Sequence, residues 1–156
     1  MEFIKMAVVY ELKENIFIQG YSVTTMDVNR LSGPVFTVKK TDKLAVLGQA
    51  VINALNECKT GVYHETREEY DQKKSNMIIA TGMKTWKALD KSSRSFVVEA
   101  LTDDQITFTP MRFLGAKGHN WVDGKDVTSD LNPEHLGRAL LEALASSENP
   151  YLKESK

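Results

Sequence analysis

The alternation of apolar and polar residues predicts strands at both ends of the chain and helices between and after them. Phe3 to Leu12 and Ile16 to Thr24 are dense in Val, Ile, Tyr and Phe, and Lys13-Glu14-Asn15 between them suits a short hairpin connection. Gly33-Pro34 punctuates the chain, and Val35 to Lys39 predicts a third short strand. The period then lengthens. Leu44, Leu47, Val51, Leu55 and Cys58 recur at helical spacing, with Ala50 and Ala54 on the same stripe, Thr41-Asp42 as cap and Gly61 as terminator.

The middle is polar. Glu65 to Asn76 followed by the apolar Met77 to Ala80 predicts a second helix ending near Gly82, with Glu69 and Lys73 spaced for an i,i+4 pair worth about 0.3 kcal/mol. A helical turn is expected at Trp86 to Leu89. Strands then return: Ser95 to Leu101 and Gln105 to Pro110 form a hairpin across Thr102-Asp103-Asp104, with Ile106 and Phe108 alternating against Thr107 and Thr109. Past loops at Gly115, Gly118 and Gly124, Asn132-Pro133 supplies a cap and a first-turn proline. The helix from Pro133 to Ser147 presents Leu136, Leu140, Ala143 and Leu144 on one face.

The two long helices share a pattern. Leu47-Gly48-x-Ala50-x-x-x-Ala54-Leu55 matches Leu136-Gly137-x-Ala139-x-x-x-Ala143-Leu144 at a constant offset of 89 (136 − 47). Each follows a strand-rich segment, so the expected architecture is α+β. Antiparallel strands lie in two segments, each followed by a long amphipathic helix, with a short helical insertion between. Residues 1–156 read as one domain, with duplicated βββα halves at 1–61 and 94–147 as an expectation. A glycine inside a helix costs roughly 0.5–1 kcal/mol relative to alanine, so each is expected where the helix presses closely on a neighbour.

Composition is that of an ordinary globular chain, 42% hydrophobic and 26% charged, and 156 residues suffice for a core without disulfide or metal. No apolar run is long enough for a transmembrane helix, and the first residues do not read as a secretory signal. Cys58 is the sole cysteine and has no internal disulfide partner, in keeping with a reducing cytoplasm. The net charge of −1 conceals an asymmetry. Lys73 to Val98 holds six bases against Asp90, while Glu99 to Glu134 holds seven acids against three bases. A neutral total argues against a coat for nucleic acid; it permits two faces of opposite sign.

Enzyme chemistry finds no anchor. Cys58 lies on an apolar stripe, and His64-Glu65-x-x-Glu68 lacks the second histidine of a zinc helix. His119-x-x-x-Asp123 offers two ligands and no third. Gly118 to Asp126 imitates a phosphate loop with one residue too many and an acid where a Mg²⁺-binding hydroxyl belongs. Binding is the better class. Tyr63 and Trp121, in loop-like surroundings, are surface aromatics of the kind that anchor interfaces, whereas Phe108 belongs to the core and Trp86 wedges between the short helix and the sheet. Stacking aromatics beside the Lys73–Arg94 stretch keep a single-stranded nucleic-acid-binding domain open as the alternative.

Four motifs in order carry a resemblance: Thr60-Gly61-Val62-Tyr63-His64, Gly82-Met83-Lys84-Thr85-Trp86, Thr109-Pro110-x-Arg112, and Pro133-Glu134-x-Leu136-Gly137-x-Ala139-Leu140. From about Val35 to Ser147 the chain resembles the contact-dependent growth inhibition (CDI) immunity proteins, the CdiI family. It departs at Glu65 after His64 and at Phe113 after Arg112, so the shared motifs point to fold more than to interface. The resemblance implies a cytoplasmic inhibitor that binds the C-terminal toxin domain of a partner CdiA protein one-to-one. That toxin is expected to be a nuclease acting on tRNA or other RNA, masked at its active site. It further implies no catalysis, cofactor, metal, membrane, small-molecule substrate or direct nucleic-acid contact. A nuclease site attracts phosphate with cations, so carboxylates placed where phosphates would lie make a competing surface. The residues expected there are Asp103, Asp104, Asp123, Asp126 and Asp130, with Trp121 as aromatic anchor. Glu65, Glu68, Glu69 and Asp71 form a second group.

Overall fold

The computed structural model describes residues 4–152. Nine strands join in one sheet: β1 (Lys5–Leu12), β2 (Asn15–Thr24), β3 (Asn29–Leu31), β4 (Phe36–Lys39), β5 (Thr60–Val62), β6 (Arg94–Thr102), β7 (Gln105–Phe113), β8 (His119–Trp121) and β9 (Val127–Ser129). Five helices accompany them: α1 (Leu44–Asn56), α2 (Arg67–Gln72), α3 (Asn76–Thr81), α4 (Trp86–Ser92) and α5 (Pro133–Ser146). The main path runs β3-β2-β1-β6-β7-β8, with β4 and β5 also pairing β2, and β9 also pairing β7. The α+β class and both predicted hairpins stand. The start expected at Phe3 lies outside the described residues.

The two ends of the chain run through the same order of elements. The run β1-β2-β3-β4-α1 reappears as β6-β7-β8-β9-α5. At the centre β1 pairs antiparallel with β6, with Val8 opposite Val97, and 97 − 8 is again 89. Each run therefore has four strands before its helix, where the alternation alone marks three in the first and two in the second. The three-residue strands β3, β8 and β9 are too short to show a period.

Helices α1 and α5 cross on one face of the sheet. There Leu47, Val51, Leu136, Leu140 and Leu144 enclose Ala7, Val9, Ile16, Ile18, Phe96, Val98, Ile106 and Phe108 in the main core. Full burial of such side chains contributes about 1.5–3 kcal/mol each, so this layer dominates stability. The crossing is close because Gly48 abuts the Pro133 carbonyl and Gly137 abuts the Leu44 carbonyl. The contacts are reciprocal: Leu44 plus 89 is Pro133, and Gly48 plus 89 is Gly137. The close approach expected of both glycines is thus the mutual contact of the two helices.

Among the described residues, the opposite face is covered over one half only. Residues 57–93, the insertion, carry β5 and α2 to α4, and Met77, Ile78 and Leu89 pack on Val8, Tyr10 and Phe17 in a second cluster. Trp86 joins it with its ring 6.3 Å from Tyr10. The single helix expected from Glu65 to Gly82 is two, because Lys73 leaves the helical region (ψ 129°) and Ser75 caps a fresh start through Met77 N–H. Glu69 does not pair with Lys73. It closes a capping box with Thr66 and accepts the Tyr63 hydroxyl at 2.7 Å, while Lys73 reaches Glu65 at 3.1 Å. Gly61 is no terminator but part of β5, and Cys58 follows α1 rather than riding it, buried with Sγ 3.3 Å from the Met6 carbonyl.

Candidate functional site

Strand parity decides what the uncovered half of the sheet shows. On β6, Phe96, Val98 and Ala100 face the α1–α5 layer, so Val97, Glu99 and Leu101 face away. On β7, Ile106 and Phe108 face the helices, which turns Thr107, Thr109 and Met111 outward. Trp121 on β8 pairs with Met111 and shares that outward side. The chain then turns at Gly124 (φ 71°) and returns as β9, which sets Asp123 and Asp126 at the rim. Together Glu99, Leu101, Thr107, Thr109, Trp121, Val122, Asp123 and Asp126 line a shallow depression of about 400 Å³. Trp121 is 54% exposed and Leu101 52%, and the lining holds three acids and no base. An exposed aromatic beside three carboxylates suits a cationic protein surface, since the ring contributes buried area and the acids contribute steering.

Of the first expected group, Trp121, Asp123 and Asp126 come together; Asp103, Asp104 and Asp130 do not join them. Asp103 lies by Lys5, Ile52, Leu55 and Leu131, towards α1. Asp104 accepts the Thr102 hydroxyl at 2.8 Å within the β6–β7 turn. Asp130 stands before α5, where it accepts Asn132 N–H at 3.0 Å and meets His135 Nδ1 at 2.9 Å. That backbone hydrogen bond, and then the histidine, hold its carboxyl below the ordinary aspartate range. Glu99 was missed. Its signal was the β6 alternation, which places an acid two residues from Leu101 on the side away from Val98.

The second group is partly spent on local structure. Glu69 is occupied as described, and the Tyr63 hydroxyl is the main cause of its lowered carboxyl pKa. Asp71 lies 3.9 Å from Arg67, and Glu68 is exposed on α2. Glu65 and Asp71 line a separate cavity with Arg30 and Lys73. The basic stretch is dispersed as well: Lys73 is on Glu65, Arg94 is 3.5 Å from the buried Glu11, and Lys84, Lys87 and Lys91 are exposed along the insertion.

His64 Nδ1 lies 2.9 Å from the Thr24 hydroxyl, and His119 Nε2 lies 3.9 Å from Asp90. Desolvation pushes the Asp90 carboxyl up, and burial likewise raises the Cys58 thiol. Among the described residues, no three His, Cys, Asp or Glu side chains gather where a metal ion could be held. No described helix is long and apolar enough to cross a membrane.

The fold is an α+β sheet layered by two crossed helices, with Trp121 and three acids on its open face. The family model for CDI immunity proteins, CdiI, matches residues 5–147, and the chain belongs to that family. Its function is therefore immunity in contact-dependent growth inhibition. Two solved structures share the fold. A CdiA-CT/CdiI toxin and immunity complex from Yersinia pseudotuberculosis matches with TM-score 0.71 at 20% identity, over 94% of this chain and 98% of that one. A protein of unknown function from Neisseria meningitidis matches with TM-score 0.69 at 23% identity, over 94% and 99%. No curated protein is significantly similar.

Proposed function

We propose that this chain protects its own cytoplasm by binding the C-terminal toxin domain of a cognate CdiA protein one-to-one, and that the toxin is a nuclease. Family membership supports the partner, and the Yersinia neighbour is a complex of that kind. The observation that carries the surface is the open face of β6–β7–β8. There Glu99, Asp123 and Asp126 surround Trp121 with no base among the lining residues. Three carboxylates so placed compete with phosphates for the cations of a nuclease site, and a steric inhibitor of this kind needs no chemistry of its own. Asp103, Asp104 and Asp130 lie apart, so they act on encounter rate rather than contact.

The test is charge reversal of Asp123 and Asp126 to lysine, singly and together, with toxin affinity measured at two salt concentrations. The double variant is expected to lose at least about tenfold in affinity and to flatten the salt dependence, while cells expressing the toxin lose rescue. Unchanged affinity and unchanged salt dependence would remove this face from the interface.

A further inference from the structure

At the other edge of the sheet a cavity of about 430 Å³ lies between β2–β3 and α2–α3. Gln19 on β2 is only 1% exposed. Its Nε2 donates to the Gly33 carbonyl at 2.9 Å, and Asn76 Nδ2 donates to the same carbonyl at 2.8 Å, which fixes both amides on one wall. Among the described residues, Gln19 Oε1 then has no partner. Neither has Arg30 Nε nor Glu65 Oε2, and all three residues line this one cavity. Buried polar atoms are nearly always satisfied, so three orphans in one cavity describe the hydrogen-bonding edge of something that enters it.

The orphans specify the occupant. Two acceptors and one donor call for a group with two N–H donors and one acceptor. Arg30 and Lys73 balance Glu65 and Asp71 in the lining, so the group is uncharged. Its walls are flat: Tyr21, Tyr70 and Trp86 contribute rings, and the Arg30 guanidinium already lies 4.9 Å from the Tyr70 centroid. The volume falls in the ordinary range for small-molecule sites. The two acceptors belong to different residues, and among the nucleobases guanine carries donors on two separate atoms of one edge, N1–H and the 2-amino group, with O6 beside them as acceptor. We infer that the cavity binds a guanine base. Glu65 Oε2 and Gln19 Oε1 accept from N1–H and the 2-amino group, Arg30 Nε donates to O6, and the sugar projects outward. The cavity is separate from the toxin face, so neither proposal depends on the other.

Calorimetric titration of the intact chain with guanosine, adenosine and uridine tests this. Guanosine is expected to bind at least about tenfold tighter than either, since a site with fixed polar groups rejects an analogue that leaves them unpaired. Glu65→Gln, at the partly exposed rim, and Gln19→Met, at the wall, should each weaken guanosine about tenfold or more; thermal melting of the free variants checks the fold. Three results would overturn the inference: no saturable nucleoside binding at millimolar concentration, equal affinity for all three nucleosides, or guanosine affinity unmoved by both substitutions. Loss of toxin affinity in these variants without guanosine binding would also overturn it, and would give the cavity to the protein partner.

Discussion

Replacing either helix glycine by alanine sets two effects against each other. In an isolated helix, Gly48→Ala or Gly137→Ala would gain roughly 0.5–1 kcal/mol, because alanine loses less backbone freedom on folding. In this fold a Cβ at Gly48 would stand 1.8 Å from the Pro133 carbonyl oxygen and 2.6 Å from its carbon. At Gly137 it would stand 2.0 Å from the Leu44 oxygen and 2.7 Å from its carbon. Both obstacles are main chain, so no side chain can rotate aside. The helices must separate, and packing strain of this kind costs about 1–3 kcal/mol. With contacts below van der Waals distance the upper part of that range applies, which leaves a net loss of about 2 kcal/mol for each substitution after the propensity gain is subtracted. In a domain of this size the melting temperature should fall by about 4–8 °C. Because one separation relieves both glycines, the double variant should lose less than the sum, with a coupling of at least about 0.5 kcal/mol. Urea unfolding of the two single variants and the double variant gives all three numbers. Alanine variants as stable as the parent, or strictly additive losses, would refute the reciprocal crossing.

Other consequences follow from single contacts. Asn132 accepts from Glu134 N–H and His135 N–H at the start of α5, so Asn132→Ala should cost about 1 kcal/mol in urea unfolding. Glu11 is 6% exposed and is held by Lys40 at 2.6 Å and Arg94 at 3.5 Å. Changing both cations to methionine should cost about 2 kcal/mol, discounted for their exposure, and no loss would mean that water already solvates the carboxylate. Asp90 has its carboxyl raised by burial against the weaker opposing effect of His119. The folded state therefore holds that proton more tightly than the unfolded state, so stability falls as pH rises from about 3.8 through the raised value. Asp90→Asn should flatten that part of the stability–pH curve, and an unaltered curve would discard the assignment.

The sequence displays the large elements because their side chains repeat over several turns or pairs. Leu47, Val51 and Leu55 mark α1, Ile106 and Phe108 mark β7, and the Asn132-Pro133 cap starts α5 within a residue of its position. Short elements were not legible. Strands β3, β5, β8 and β9 each have three residues and exist only because β2 and β7 offer them a partner, a long-range fact. The break at Lys73 was hidden for a different reason: charged residues satisfy a helical pattern whether or not Ser75 caps a second start. The helix glycines carried a readable packing signal, although their mutual contact needed the fold. In the open-face depression, Trp121, Asp123 and Asp126 were legible as neighbours because loop acids and a loop aromatic stand out. Glu99 was not, since a single acid inside a strand reads as solvated until the strand's two sides are known. Asp130 looked equivalent to Asp126 in sequence, yet four residues of chain carry it to the start of α5 and into contact with His135.

The central claim is that this chain neutralises a CdiA toxin through the open face of β6–β7–β8. Hydrogen–deuterium exchange of the chain alone and with its cognate CdiA C-terminal toxin domain tests that claim most directly. The account predicts new protection in residues 97–101, 107–111 and 119–127 and none along the outer surfaces of α1 and α5. Protection confined to those helices, or no change anywhere at saturating toxin, would contradict it.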